Sequence, residues 1–134
     1  KQLCKEKQGL PLFHKVEKMG MIVKYEKDTT IFTPNLHFDC DSRWYFKKGD
    51  PSTNISILRS DFKKGGWADW HDHASADQAY YVIEGKVRVW MDSEDNYADL
   101  GPGDMVIFPM GRKHKLKNLT DGELSLVAMN APAL

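Results

Sequence analysis

The chain has 134 residues and carries 19 basic and 19 acidic side chains, so its formal net charge at pH 7 is zero. The length fits a single domain over residues 1–134, and a domain of this size buries about two thirds of its unfolded surface without needing disulfide bonds. The charge balance argues against nucleic-acid binding and against a basic membrane-surface protein. No apolar run approaches the roughly 20 residues that a membrane span requires.

The two cysteines, Cys4 and Cys40, bear on the compartment. Two thiols make no disulfide framework. A secretory signal would consist of a charged leader followed by an apolar stretch, and the sequence shows no such pattern. We therefore expect a cytoplasmic protein with two free thiols.

The chain begins with a polar, lysine-rich segment, residues 1–20, which we interpret as an arm or edge segment. From Met21 onward, short runs of β-forming residues alternate with turn residues. Eight strands are predicted, at 21–25, 29–33, 54–59, 78–84, 86–92, 104–108, 114–118 and 123–129. Turns containing Gly and Pro separate them, and no long 3.6-residue periodicity is present, so the sequence predicts an antiparallel β-sandwich or barrel.

Residues 78–92 are predicted to form a β-hairpin with a glycine turn. Because side chains alternate faces along a strand, the even-numbered residues of its first strand and the odd-numbered residues of its second, Met91 among them, should point inward. Tyr81, Ile83 and Trp90 would then share an apolar outer face. Such a face needs a cover, which could be the N-terminal arm, another sheet layer or a second subunit; we expect a homodimer.

Two histidines, His71 and His73, stand two positions apart just before this predicted hairpin. In a strand, this spacing places both imidazoles on one face, about 6.6 Å apart along the backbone, so both can reach one ion. A lone histidine is more often a hydrogen-bonded polar residue than a ligand, and an HxH pair alone is a weak signal of a metal site. Trp67 lies four residues before His71, so strand alternation places it on the same inner face.

Two longer patterns extend the histidine pair. Residues 65–85 read GGWADWHDHASADQAYYVIEG, and residues 103–118 read GDMVIFPMGRKHKLKN. Together they resemble the two motifs of the cupin superfamily, G-x5-HxH-x3–4-E-x6-G and G-x5-PxG-x2-H-x3-N. The second motif is met at every fixed position. The first is met except that Gln78 stands where the family has a glutamate. The chain is therefore similar to the small single-domain cupins.

This resemblance implies an all-β fold, an antiparallel jelly-roll β-barrel, with one divalent metal ion held by His71, His73, Gln78 and His114. Iron, zinc, nickel and manganese are all candidates for the ion, because imidazole suits several divalent metals. Asp77 is an alternative fourth ligand, since it is an acid at the looser spacing. Strand alternation and the six-residue count to the next glycine favour Gln78. Gln78 could also act by hydrogen-bonding and orienting a histidine.

A glutamine ligand would change the chemistry of such a site. Its amide oxygen carries no charge, so the ion would keep its full positive charge and act as a stronger Lewis acid than it would beside a glutamate. Three histidines and an amide would leave one or two positions open for a small-molecule substrate, as in catalytic sites.

Four other residues are candidates near the site. The hydroxyl of Tyr80 could serve as a catalytic acid or base, although aromatic packing would explain the residue equally well. Arg59 could anchor a substrate carboxylate, or it could be a solvated surface arginine. Trp67 and Met91 are candidate substrate-binding residues on the inner face, with Met91 more suited to packing than to chemistry. The two remaining histidines match no ligand pattern, and we treat both as surface or structural residues: His14 and His37.

Two classes of function remain open. The first is a metal-dependent enzyme acting on a small, oxygen-rich molecule. A set of three histidines and one glutamine resembles the cupin enzymes of pectin and alginate breakdown, which act on unsaturated uronates, and some polyketide cyclases. That resemblance implies lyase, isomerase or cyclase chemistry at a Lewis acid, with an iron-dependent dioxygenase as a second branch. The second class is a non-catalytic ligand sensor or storage-type cupin, because a fold alone does not settle function.

Overall fold

The computed structural model of the protein describes residues 20–134, together with the backbone of two short strands that precede them. Most of the predicted N-terminal arm, including Cys4 and His14, lies outside the described residues. The strands in chain order are β1 (Lys5–Glu6), β2 (Val16–Lys18), β3 (Met21–Val23), β4 (Ile31–Phe32), β5 (His37–Phe46), β6 (Ser56–His71), β7 (Asp77–Glu84), β8 (Val87–Met91), β9 (Tyr97–Leu100), β10 (Met105–Phe108), β11 (His114–Asn118) and β12 (Leu124–Ala131).

Nine strands form one antiparallel sheet that curls into a nearly closed barrel, which confirms the predicted all-β, jelly-roll class. The sheet runs in the order β10-β7-β12-β6-β11-β8-β9, with β5 also paired to β6 and β4 paired to β5. Strands β1, β2 and β3 form a separate sheet. The helical structure in the described residues is a 3-10 turn, Glu26–Asp28. None of it is long and apolar enough to cross a membrane.

All eight predicted strands coincide with observed ones, but β5 and β9 were not predicted and β6 is far longer than expected. β5 carries charged residues at alternate positions, as in Asp39, Asp41 and Arg43, which obscures the apolar pattern of the residues between them.

Cys40, one of the residues of β5, is a buried free thiol. The cytoplasmic location stays a prediction.

The predicted hairpin over residues 78–92 is wrong. β7 pairs with β10 and β12, whereas β8 pairs with β9 and β11. The inward and outward faces were predicted correctly, since Tyr80 is buried and Tyr81 is 41% exposed. Trp90 nevertheless lies on a different part of the barrel wall from Tyr81, because three strands separate β8 from β7. Between them, Gly85 adopts a φ of +86°, and a Cβ there would lie 2.7 Å from the carbonyl oxygen of Glu123, so only glycine fits.

The barrel interior is filled by apolar side chains from both halves of the sheet. Phe62, Val82, Val87, Leu124 and Leu126 are each at most 1% exposed. They come from β6, β7, β8 and β12, so the core holds together strands that are distant in sequence. Burial of this apolar surface is the main force that closes the barrel.

Leu124 and Leu119 make a matched test of this core. Leu124 is fully buried, whereas Leu119, five residues earlier, is 39% exposed. Leu124→Ala should lower the free energy of unfolding by about 2–5 kcal/mol, because it removes buried methyl groups and leaves a cavity. Leu119→Ala should change it by less than about 0.5 kcal/mol. Urea denaturation followed by circular dichroism measures both, and equal losses would contradict this assignment of the core.

The homodimer stays a prediction, and the exposed apolar side chains now point to a different surface for it. Tyr81 and Met105 are cross-strand neighbours on β7 and β10, and Ile83 and Ile107 extend the stripe along the same two strands. These four side chains are between 41% and 60% exposed. Contiguous apolar surface of this kind is typical of an interface.

If this stripe is the interface, light scattering at micromolar concentration should give twice the 15.4 kDa mass of one chain. Ile107→Lys should shift the mass to that of a monomer, because it would bury an unpaired ammonium in the interface. Leu119→Lys, a control at an exposed leucine outside the stripe, should leave the mass unchanged. A monomeric wild-type protein would rule the dimer out.

Candidate metal centre

Three histidines meet where β6 ends and β11 begins. His71 is the last residue of β6, His73 follows it, and His114 is the first residue of β11 and pairs directly with His71. One ring nitrogen from each histidine lies within 4.8 Å of those from the other two. A turn ties the two segments together, because the backbone N–H of Gly111 donates to the carbonyl of His73 at 3.0 Å. Gly111 has a φ of +78°, a conformation that glycine adopts at little cost.

Backbone carbonyls orient two of these rings. The Nδ1 of His71 lies 2.7 Å from the carbonyl oxygen of Asp69, and the Nδ1 of His114 lies 3.2 Å from that of Arg112. When Nδ1–H donates to such a carbonyl, Nε2 keeps its lone pair and is free to bind a metal. This arrangement is typical of metal-binding histidines.

The electrostatics keep the imidazoles in the form that binds metals. Burial lowers the pKa of His71 and of His73 below the ordinary value of 6.5. Burial, assisted by the neighbouring His71, lowers the pKa of His114 to about 3. All three rings are therefore neutral at pH 7, and a neutral imidazole is the ligand form of histidine.

Gln78 completes the cluster. This residue is only 6% exposed. Its Nε2 donates to Oδ1 of Asn130 at 2.7 Å, which turns its Oε1 toward the histidines, 3.0 Å from Nε2 of His114. A neutral His114 carries only one N–H, which can donate either from Nε2 to this oxygen or from Nδ1 to the carbonyl of Arg112. At the other ring nitrogen a lone pair then faces the lone pairs of an oxygen. A cation at Nε2 would remove that conflict.

These contacts fit a bound metal ion. Two ligand atoms that lie about 2.1 Å from one ion and at right angles are about 3.0 Å apart, as Nε2 of His114 and Oε1 of Gln78 are. The Nε2 of His73 is buried and has no hydrogen-bond partner in the described part of the chain. Buried polar atoms are rarely left unpaired in this way. Asp77, in contrast, is exposed, and its Oδ1 accepts from the N–H of Met110 at 2.7 Å, so the structure favours Gln78 over Asp77.

A cavity inside the barrel adjoins the histidine cluster, and the structure places Tyr80 and Met91 differently with respect to it. Tyr80 lines the cavity together with His71 and His73, and its ring centroid lies 6.2 Å from that of His114. Burial raises the pKa of its hydroxyl above the ordinary value of 10, so the group stays protonated. Met91 packs against the hydrophobic core and does not line this cavity, and its role in substrate binding stays a prediction.

Trp67 and Arg59 both lie outside the cavity, contrary to prediction. Trp67 is 37% exposed and stacks on Phe38 at 4.6 Å. The strand count failed because β6 contains an irregularity between Ala68 and His71, where three residues oppose two on β11. Arg59 points away from the lumen, and its Nε donates to Asp61 at 3.0 Å. It therefore cannot anchor a substrate carboxylate in the cavity.

Two residues near the centre were missed from the sequence. His37 lines the cavity, with its ring centroid 5.4 Å from that of His71. Its Nδ1 lies 2.8 Å from the carbonyl of Asn35, and burial lowers its pKa. It is part of the site and not the peripheral residue that we expected, because β5 was not predicted. Asn130, the partner of Gln78, lies one residue beyond the predicted strand 123–129 but within the observed β12, and no motif marked it.

Comparison with known proteins agrees with this geometry. The Cupin domain family matches residues 58–130. A germin-like protein from Morus alba is 37% identical over 82 residues, which are 58% of this chain and 39% of that protein. The chain thus spans about two fifths of the length of this relative.

Two solved structures share the fold. KdgF from Halomonas sp. gives a TM-score of 0.69 at 17% identity and covers 82% of this chain and 94% of its own. The polyketide cyclase RemF from Streptomyces resistomycificus gives 0.71 at 15% identity and covers 83% of this chain and 79% of its own. At such low identity these likenesses show the fold alone. The family match over more than half of the sequence, with the three-histidine cluster inside the barrel, shows that this chain belongs to the cupin family.

Proposed function

We propose that the chain is a metal-dependent enzyme, in which His71, His73, His114 and Gln78 hold one divalent ion that acts on a small oxygen-containing substrate. One observation carries this proposal. Lone-pair atoms of neutral side chains converge in a buried place, where the Nε2 of His73 has no hydrogen-bond partner among the described residues and Oε1 of Gln78 lies 3.0 Å from Nε2 of His114. Such an arrangement is unfavourable without a cation and favourable with one.

The four proposed ligands contain no carboxylate, which favours Lewis-acid chemistry. When bound, the ion would supply the positive charge that polarises a carbonyl or enol oxygen of the substrate. Because imidazole and amide groups are neutral, the ligands themselves would not reduce that charge. Lyase, isomerase or cyclase reactions use an ion in this way. RemF, named as a polyketide cyclase, and the oxalate decarboxylase of Lactobacillus farciminis show that related folds carry enzymes.

Two side chains of the cavity could handle protons in such a reaction. The hydroxyl of Tyr80 is protonated, so it can donate a hydrogen bond to a substrate oxygen but is a poor base. His37 donates from Nδ1 to the carbonyl of Asn35, which leaves the lone pair of its Nε2 available to accept a proton. His37 is therefore a better general-base candidate than Tyr80, the residue to which the sequence pointed.

A non-catalytic ligand-binding cupin is the second candidate. It is favoured by the mostly apolar wall of the cavity beyond the histidines, formed by residues such as Leu58, Leu116 and Leu126. A binding protein needs shape and desolvation but few reactive groups.

Elemental analysis of protein purified without added metal tests the proposed function most directly. We expect about one divalent ion per chain. Zinc, nickel or manganese would favour the Lewis-acid reactions, whereas iron would favour a dioxygenase. Protein that contains no metal and takes up none on dialysis would rule out both.

Substitutions at Gln78 test the fourth ligand. Gln78→Ala should weaken metal binding by about 10–100-fold, because it removes the oxygen that faces His114. Gln78→Glu should retain the metal while lowering or altering activity, since a carboxylate reduces the charge of the site. Asp77→Asn, a control at the neighbouring residue, should not change metal affinity, measured by competition with a chromophoric chelator. If Gln78→Ala loosens no metal and changes no activity, Gln78 is not a ligand.

Asn130 should act through the orientation of Gln78. Asn130→Leu removes the acceptor that holds Nε2 of Gln78 at 2.7 Å, so we expect metal affinity to fall by roughly 10-fold or more. Asn130→Asp keeps an acceptor at that position and should retain most of the affinity. Thermal unfolding of the metal-free proteins separates this effect from a general loss of stability. Equal metal affinities for the Leu and Asp variants would contradict the orienting role.

A further inference from the structure

The cavity next to the candidate metal centre has a volume of about 230 Å³ and two unlike ends. His37, His71, His73 and Gln78 form one end. Apolar side chains form most of the rest, and no lysine, arginine, aspartate or glutamate of the described chain is among the lining residues. A charged group on a ligand would therefore find a partner only at the histidine end, because burying an unpaired charge elsewhere is strongly unfavourable.

Aromatic and aliphatic groups shape the apolar end. Phe32 and Trp44 stack nearly in parallel, with ring centroids 6.0 Å apart and an interplanar angle of 7°. Both are half-buried, so they lie nearer to solvent than Leu126, which is 1% exposed. A flat apolar ligand could enter past these rings and remain in contact with apolar atoms down to the histidines.

Few polar atoms in the cavity are free to bind ligand hydroxyl groups. Ser60 is already bonded to Ser42, with 2.7 Å between the two hydroxyl oxygens. The amide of Asn130 already makes two hydrogen bonds, because its Oδ1 accepts from Gln78 and its Nδ2 donates to Ser56. A sugar-like molecule would leave most of its hydroxyl groups without partners, at a cost that would weaken its binding.

The predicted anchor for a second acidic group is also absent from the cavity. Arg59 lies on the opposite face of β6 from the lining residues Leu58 and Ser60, and its guanidinium is paired with Asp61. An acid such as a uronate could place one carboxylate at the histidine end, but the rest of its polar surface would face leucine and aromatic side chains.

We propose that the site takes a small molecule with two neighbouring acidic oxygens at one end, such as a catechol, and an uncharged apolar body. The inference rests on the proposed function, because the oxygens would balance an ion whose protein ligands are all neutral. The apolar body would lie on the inner face of the paired strands β6 and β12, against Leu58 and Leu126. The cavity is smaller than the roughly 300–1,000 Å³ typical of sites for drug-sized ligands, so it fits a single ring with short substituents.

The test compares two probes that share the same pair of oxygens. 4-Methylcatechol carries a methyl group where 3,4-dihydroxybenzoate carries a carboxylate. Titration calorimetry is performed without oxygen, on protein whose zinc content has been measured. We expect 4-methylcatechol to bind at least tenfold more tightly than 3,4-dihydroxybenzoate, and D-galacturonate to bind more weakly than both. His114→Ala should abolish binding of both catechols together with the zinc.

The outcomes separate the two proposals. If the protein binds zinc but 3,4-dihydroxybenzoate or D-galacturonate binds as tightly as 4-methylcatechol, the substrate class is wrong and the metal site stands. If zinc binds and neither catechol binds, the substrate class is likewise wrong. If the protein takes up no zinc or other divalent metal, the proposed function is wrong and the substrate class falls with it.

A variant pair tests the apolar wall itself. Phe32→Arg introduces a cation into the lining and should reduce or reverse the preference for 4-methylcatechol. Ile31→Arg adds the same charge on the same strand, but at a side chain that is 52% exposed and does not line the cavity, so it should leave the preference unchanged. If Phe32→Arg does not fold, Trp44→Arg replaces it. An unchanged preference in a folded cavity variant would contradict the proposed position of the apolar body.

Discussion

The site depends on the register between β6 and β11. His114 lies directly opposite His71, and two residues further along β11, Leu116 lies opposite Ala68. Three residues of β6 therefore span the distance that two residues of β11 cover. This irregularity turns both Ala68 and His71 toward the lumen, although an ideal strand would place them on opposite faces. A regular ladder over this stretch would place either the core residue or the metal-binding candidate on the outside of the barrel.

A second chain of contacts fixes the chemical character of the centre. The amide of Asn130 donates to the hydroxyl of Ser56 and accepts from the amide nitrogen of Gln78. These hydrogen bonds turn the amide oxygen of Gln78 toward the histidines. Since backbone carbonyls hold the rings of His71 and His114, three of the four groups are oriented before any ligand arrives. Preorganisation of this kind reduces the entropy that would otherwise be lost on binding, but it leaves lone pairs facing one another in the free protein.

The sequence predicted the parts of this arrangement that depend on local pattern. Alternation assigned Gln78 and Tyr80 to the inside and Tyr81 to the outside. Spacing paired His71 with His73, and the resemblance to the cupin motifs added His114. The failures are of another kind. Strand partners are chosen by contacts between distant residues, so β7 and β8 were joined in a hairpin although each pairs elsewhere. Irregular register cannot be read from residue types, so Trp67 was placed on the wrong face.

His37 was missed for a related reason. Its strand alternates charged and apolar residues and contains Asp39 with a φ of +51°, where the pairing with β6 changes register between Phe38 and Cys40. That change sends His37 inward while its neighbour Phe38 remains 44% exposed. Nothing in the local sequence marks such a switch, because the residues opposite it are supplied by a segment more than twenty positions away.

The barrel is only nearly closed, and β9 and β10, the two ends of its main strand order, each pair with one other strand in the described chain. Each therefore offers backbone amides and carbonyls along one side. Both strands have only four residues, but β9 also carries Asp99, which is paired with Arg88. Short edge strands and charged edge residues are ways in which native sheets prevent a strand of another molecule from pairing with the edge. β10 carries no charged side chain within its four residues, so of these two edges it is the less protected against pairing with an added strand.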